Sequence, residues 1–343
     1  MFSLKGCILF LLVFFYLPAM VNATETGWKR SGFIDLGFSD DRNADEQKVE
    51  LLELELDFSR KINNKNNLII ELNYLKLEDD PDTATDEGKQ KAKDIIEQAC
   101  IKLDLGNDAK LILGRFNSPI GFDEVDPTGL YQYSFSDVSN YAVPTNLTGG
   151  MYVIEKDKWG LSLFLVNGWD VLEDDNDAKT FGGRGSINFS EQLTLGISYI
   201  AGKEGEESNM RRVLDLDLNY QPHADWTFGV EYNRGSEENA SLINDGTAYW
   251  HGLMLMAHHE FNKTWGMTIR FDNFKDEDGA AIGMGENEFR KSWTFSPSYK
   301  ICKNLKAIME YRLTNSDKMV FIDKNGNAKD NEATYGLRLL YQL

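Results

Sequence analysis

The chain has 343 residues, 42% of them hydrophobic and 27% charged, with a formal net charge of -19 at pH 7. That acidity excludes nucleic acid as a partner, because its phosphates need a basic surface. The density of charge excludes a bundle of membrane helices, each of which needs about 20 apolar residues.

The first element, in chain order, is a leader. Residues 1–23, "MFSLKGCILFLLVFFYLPAMVNA", pair a basic Lys5 with an apolar run from Cys7 to Val21 and small residues before a cut after Ala23. This is the layout of a secretory signal peptide. A retained anchor helix is the alternative, and Pro18 inside the short apolar run argues against it. Residues 24–343 are then expected to form one exported domain.

Beyond residue 24 the dominant signal is a period of two, the mark of a half-buried strand. "LLELELDFSR" sets Leu52, Leu54, Leu56 and Phe58 on one face and Glu53, Glu55 and Asp57 on the other. "LDLDLNYQ" sets Leu214, Leu216 and Leu218 against Asp215, Asp217 and Asn219. "WTFGVEYN", "WGMTIRFD" and "LKAIMEYR" repeat the pattern at Trp226–Asn233, Trp265–Asp272 and Leu305–Arg312. No stretch reads convincingly as helix; the nearest is "DEGKQKAKDIIEQA", residues 86–99.

The connections alternate as well. Short polar turns fall near 63–67, 106–109, 156–158, 190–192, 221–225, 262–264 and 302–304. Long acidic or Gly-rich loops fall near 40–47, 78–93, 117–147, 170–179, 202–212, 235–247, 275–287 and 315–331. Seven short turns and eight long loops join about sixteen strands. This predicts an all-β fold: a transmembrane antiparallel up-and-down barrel with short periplasmic turns and long outer loops.

Ring placement agrees. Trp159, Phe189, Tyr220, Trp226, Phe261, Trp265, Tyr299 and Tyr341 sit beside short turns, and Tyr74, Tyr199, Tyr232, Phe271 and Tyr311 sit toward long loops. Two aromatic belts around an aliphatic band suit an outer membrane. A soluble β-sandwich also alternates, but it explains neither the belts nor the connections. The last strand, "ATYGLRLLYQL", is similar to the terminal signal read by the barrel-assembly machinery, with Leu343 where Phe is commonest. Cys100 falls on the fourth strand and Cys302 in the last short turn, far apart around the wall, so no disulfide is expected.

Sixteen strands enclose a water-filled channel. Its inward face mixes acids (Glu53, Glu55, Asp57, Glu71, Asp215, Asp217, Glu231, Asp272, Glu310) with bases (Lys102, Arg184, Arg270, Lys306, Arg312, Arg338). No catalytic constellation, P-loop or zinc motif is present, so no enzyme activity, cofactor or metal is expected. His258 and His259 are adjacent on a strand and point to opposite faces. A surface adhesin or binding protein built on a closed barrel is the alternative function. A barrel lipase or protease would need a His near a Ser or Asp at a rim.

The runs "ILGRFNSPIGFDEVDP", "LVNGWDVLEDDND" with "TFGGRGSINF", "IRFDNFKDEDG" and "IMEYRLTNSD" follow one another in an order that resembles the β-barrel porin-2 family, the OmpL-like porins. The resemblance covers about 111–343. It implies an outer-membrane porin passing small hydrophilic solutes or ions, set among lipid and lipopolysaccharide, with a homotrimer as a compatible assembly. By resemblance to general porins, the third long loop, 117–147, would fold inward as a constriction. Asp123, Glu124 and Asp126 are then expected on its acidic side, and Arg184, Arg270, Arg312 and Arg338 on a basic wall. The alternative is that these arginines neutralise neighbouring acids across strands. The loop run "YQYSFSD" lacks the basic residue expected there. The net acidity predicts cation preference.

Overall fold

The structure is a computed structural model that describes residues 27–43, 45–75, 95–174, 176–205 and 209–343. The predicted leader, and residues 86–94 of the nearest helix candidate, lie outside the described residues.

Fifteen strands follow in sequence: β1 Trp28–Asp41, β2 Glu46–Lys61, β3 Asn67–Leu75, β4 Ile96–Gly106, β5 Ala109–Asn117, β6 Asn146–Glu155, β7 Trp159–Val166, β8 Thr180–Ser190, β9 Leu193–Glu204, β10 Asn209–His223, β11 Trp226–Glu237, β12 Ala248–Glu260, β13 Trp265–Asp276, β14 Glu288–Cys302 and β15 Leu305–Ser316. A small hairpin, β16 Phe321–Ile322 with β17 Ala328–Lys329, precedes the last strand, β18 Asn331–Gln342. All but the small hairpin form one closed antiparallel barrel of sixteen strands. Closure comes from β18, which pairs with β15 (Met309↔Leu337) and with β1 (Leu36↔Leu339). No edge is left open, as lipid requires of a spanning sheet.

Two connections are shorter than expected. The loops placed at 40–47 and 202–212 shrink because strand pairing continues outward to Asp41↔Glu46 and Glu204↔Asn209. Polar side chains do not end a strand while the hairpin ladder still satisfies its backbone.

The faces are inverted relative to a soluble protein. On β10, Leu214 and Leu216 are 37% and 39% exposed, while Asp215 and Asp217 are 0% and 8%. On β13, Ile269 is 41% exposed beside a fully buried Arg270. A sandwich would bury the leucines and expose the aspartates. Here the apolar face meets lipid. Ring pairs gird it at both ends: Trp265 with Tyr299 (4.5 Å) near the short turns, Phe271 with Trp293 (4.8 Å) and Tyr311 with Tyr335 (4.7 Å) near the long connections.

Both described cysteines are free, Cys100 buried on the lumen side and Cys302 exposed beside the turn from β14 to β15. A membrane-impermeant maleimide should label Cys302 on the folded barrel and leave Cys100 unmodified until denaturation. Labelling of both in the native state would contradict this packing.

Candidate pore constriction

The irregular segment 118–145 leaves β5 at Asn117 and joins β6 at Asn146. Its neck is closed by register pairing of Asn117 with Asn146 and by Ser118 N–H donating to Thr145 O (2.7 Å). Asp170, from the β7–β8 connection, accepts the N–H groups of Thr145 (2.7 Å) and Asn146 (2.8 Å). Pro127 sits in the turn that Gly129 N–H closes onto Asp126 O (3.1 Å).

Asp123 organises the interior of the segment. Its carboxylate accepts from Gln132 Nε2 (3.2 Å), Ser136 N–H (2.9 Å) and Ser139 Oγ (3.1 Å). Ser136 in turn caps a short helix, α1 Asp137–Ala142, by accepting Ser139 N–H (3.1 Å). That helix is absent from the sequence expectations. Six residues are too few to show a 3.6-residue period. The available signal was the Ser136 cap followed by acidic Asp137.

The segment is bonded to inward-facing side chains of distant strands. Arg270 on β13 donates to Ser134 O (2.6 Å), Ser134 Oγ (3.1 Å) and Phe135 O (2.9 Å). Arg312 on β15 donates to Phe135 O (2.9 Å), Ser134 Oγ (3.0 Å) and Asp137 Oδ1 (2.6 Å). Glu310 accepts Tyr133 N–H (2.9 Å) and Ser134 N–H (3.0 Å). Thr268 donates to Tyr131 O (2.8 Å), and the Tyr131 ring lies 4.5 Å from His258. Val138 and Ala142 of α1, both fully buried, join an apolar lumen cluster with Trp250, Met254 and Phe274. Asn233 donates to Ala142 O (3.2 Å), satisfying a helix-end carbonyl.

Glycines on the wall make room for the segment's rings. A Cβ on Gly229 of β11 would lie 2.3 Å from Phe122 Cζ, and one on Gly336 of β18 would lie 2.9 Å from the Tyr133 ring. Glycine is required at such approaches because any side chain would displace the ring.

The seven sequence-expected residues therefore separate. Arg270 and Arg312 come together, and both hold backbone carbonyls of 134–135. The basic groups missing from "YQYSFSD" reach that run from the wall. Arg270 also pairs with Asp272 (2.9 Å), and Arg338 with Asp35 (2.9 Å) while lying over the Tyr133 ring (5.2 Å). Arg184 stands apart on β8, paired with Asp217 of β10. Asp123 is occupied within the segment, and Glu124 is exposed.

Asp126 has a different environment. Burial pushes its carboxyl up to about 7, and Glu97, Glu71, Asp57 and Glu124 add to the effect. The wall it meets carries Glu53 and Glu55 on β2 and Glu97 on β4, with Asn73 of β3 donating to all three. Alternation alone does not put Glu97 inside, since neighbouring Gln98 also faces Glu71 there. The register shift between Glu71 and Leu72 against β4 explains it, because a bulge turns two successive residues to one face.

A closed sixteen-stranded barrel, apolar and ringed by aromatics outside and polar within, defines an outer-membrane channel protein of the porin class. The chain belongs to the family described as Putative beta-barrel porin-2, OmpL-like, whose profile matches residues 28–343. Among curated proteins none matches significantly in sequence. Solved structures of the same fold include in-vitro folded OmpT of Vibrio cholerae (TM-score 0.65, 12% identity, 95% of this chain and 100% of that one). The anion-selective porin from Comamonas acidovorans is similar at TM-score 0.64 and 10% identity, over 93% and 100% of the two chains. Salmonella typhi OmpF in complex with daunomycin is similar at TM-score 0.65 and 13% identity, over 93% and 98%. At these identities the likeness is one of fold.

Proposed function

We propose that this outer-membrane channel is a cation-preferring diffusion porin for small hydrophilic solutes and ions, narrowed by residues 118–145. The observation that carries the reading is the anchoring of that segment through Arg270 and Arg312, which leaves its acids Glu124 and Asp126 on the side of the β2–β4 carboxylates. The arginines expected to form an opposing basic wall are instead committed to loop carbonyls and to Asp35, Asp137, Asp217 and Asp272. A passage whose uncommitted charges are acidic favours cations, since charged groups lining a pore set ion selectivity.

The test is the reversal potential of the reconstituted protein in planar bilayers under a KCl gradient. A potential of the sign for K⁺ preference is expected, and Cl⁻ preference would sink the reading. Asp126 adds a pH signature. A carboxyl raised to about 7 carries its charge above that pH and loses it as pH falls through 7. Cation preference should therefore decline between pH 8 and pH 6, and Asp126→Asn should flatten that decline.

A further inference from the structure

We propose that the periplasmic mouth of the lumen holds a binding site for phosphate-bearing anions, built from Lys263, Lys300, Lys303 and Lys306. The four line one cavity of about 840 Å³ at the short-turn ends of β12–β15 and β18. Lys300 and Lys306 stand opposite each other in the β14–β15 ladder, on the inward rows that include the buried Ser298 and Ile308. Lys263 and Lys303 lie at the rim, in the turns from β12 to β13 and from β14 to β15. Thr128 of the segment 118–145 also lines the cavity.

The cluster stands out by its missing counter-charge. None of the four ammonium groups makes an ion pair or hydrogen bond with a described residue. Lysines at other short turns do pair, Lys110 with Glu155 (2.6 Å) and Lys156 with Asp108 (2.6 Å). The lining holds two acids, and each faces a histidine instead: Glu260 lies 3.2 Å from His258, and Asp225 3.8 Å from His259. Arg338 adds a further positive charge near Lys306. Like charges directly opposite in a ladder destabilise it. A chain of net charge -19 has acids to spare, yet this lining keeps four lysines to two acids. An anion bound among the lysines removes the repulsion.

The residue type points to phosphate. Lysine is a compact point charge with three donors on a flexible stem, and it lacks the planar fork that matches a carboxylate. Several such groups converging on one cavity suit a tetrahedral, multiply charged oxyanion, which they reach from different sides. The volume falls within the range of about 300–1,000 Å³ of small-molecule sites, so a phosphate ester fits as well as an inorganic ion. The site lies in series with the acidic side of the passage and does not depend on which ion that passage prefers.

The experiment is calorimetric titration of sodium pyrophosphate, glycerol phosphate and glycerol into protein refolded in detergent free of lipopolysaccharide. Saturable binding of both phosphates and none of glycerol is expected, weakening as KCl is raised. K300S/K306S should bind pyrophosphate about tenfold more weakly or worse. K110S/K156S, in turns outside the cavity, should bind as wild type does. Cys302 lines the same cavity and reports on it separately. An anionic methanethiosulfonate should modify Cys302 about tenfold faster in wild type than in K300S/K306S, and pyrophosphate should protect it. Heat-modifiable mobility on gels checks folding, and K263S/K303S, confined to the turns, replaces the double variant if that fails to fold. Binding of pyrophosphate without glycerol phosphate would support the site and restrict it to the inorganic ion. No saturable binding, equal affinity in wild type and K300S/K306S, or an equal loss in K110S/K156S would overturn the proposal. These readouts use no ion current, so failure here and failure of the cation-preferring reading are separable.

Discussion

Replacing both Arg270 and Arg312 by alanine is expected to free residues 118–145 from the wall and raise single-channel conductance. The two guanidinium groups are 0% and 11% exposed, and Asp137 is 4% exposed. Removing one partner of a buried ion pair costs about 3–5 kcal/mol, mostly because the other charge is left alone. The double variant also strips donors from Ser134 O and Phe135 O, at about 1–3 kcal/mol for each buried carbonyl left unmet. The strand ladder does not depend on these contacts, so the barrel should survive while the segment detaches. Limited proteolysis should then cut between 118 and 145, where the wild type resists. Arg312→Lys is the informative control. It keeps the charge but not the planar fork that spans Phe135 O and Asp137, so it should release the segment in part. Unchanged conductance in the double alanine variant would show that the segment does not limit the current.

Ile269→Arg should destabilise the barrel by about 2–4 kcal/mol, although Arg270 beside it is native. The contrast isolates the direction of the side chain. Ile269 points to lipid between the belt residues Trp265 and Phe271, and is 41% exposed. Arg270 points inward to Asp272 and the loop carbonyls. A charge on the lipid face near the bilayer midplane has no partner and cannot reach water at full cost recovery by snorkelling. Urea unfolding in lipid vesicles would measure the difference, with Asn219→Arg, on the partly exposed inward face of β10, as the comparison. Equal stability of Ile269→Arg and wild type would place this strand face in water.

The barrel was legible because lipid imposes a strict alternation. Between the aromatic belts every outward residue is apolar, so period two survives across that band on β10, β11, β13 and β15. Chain punctuation carried the topology, since short turns and long loops differ in composition. The lumen obeys weaker rules. Water tolerates either charge there, so no pattern said which arginines would stay open and which would hold the loop. Arg270 meets a carbonyl 136 residues earlier in the chain, and nothing local records that pairing. What is recognised is mostly the backbone of 134–135, with the Ser134 hydroxyl as the one side-chain trace. Glu97 was hidden for another reason. A bulge breaks the alternation at one residue, and the period that revealed the strands then misassigns its face. The helix α1 was hidden by its length.

The anchoring of residues 118–145 also dictates an order of assembly. The groups that grip the segment lie on β11, β12, β13, β15 and β18, all made after it. A barrel halted before β13 has no Arg270 or Arg312, and so no fastened gate. The latch therefore closes only in the final third of construction, together with the seam between the first strand and the last. On the reading proposed above, completion of the wall and narrowing of its passage are then one event.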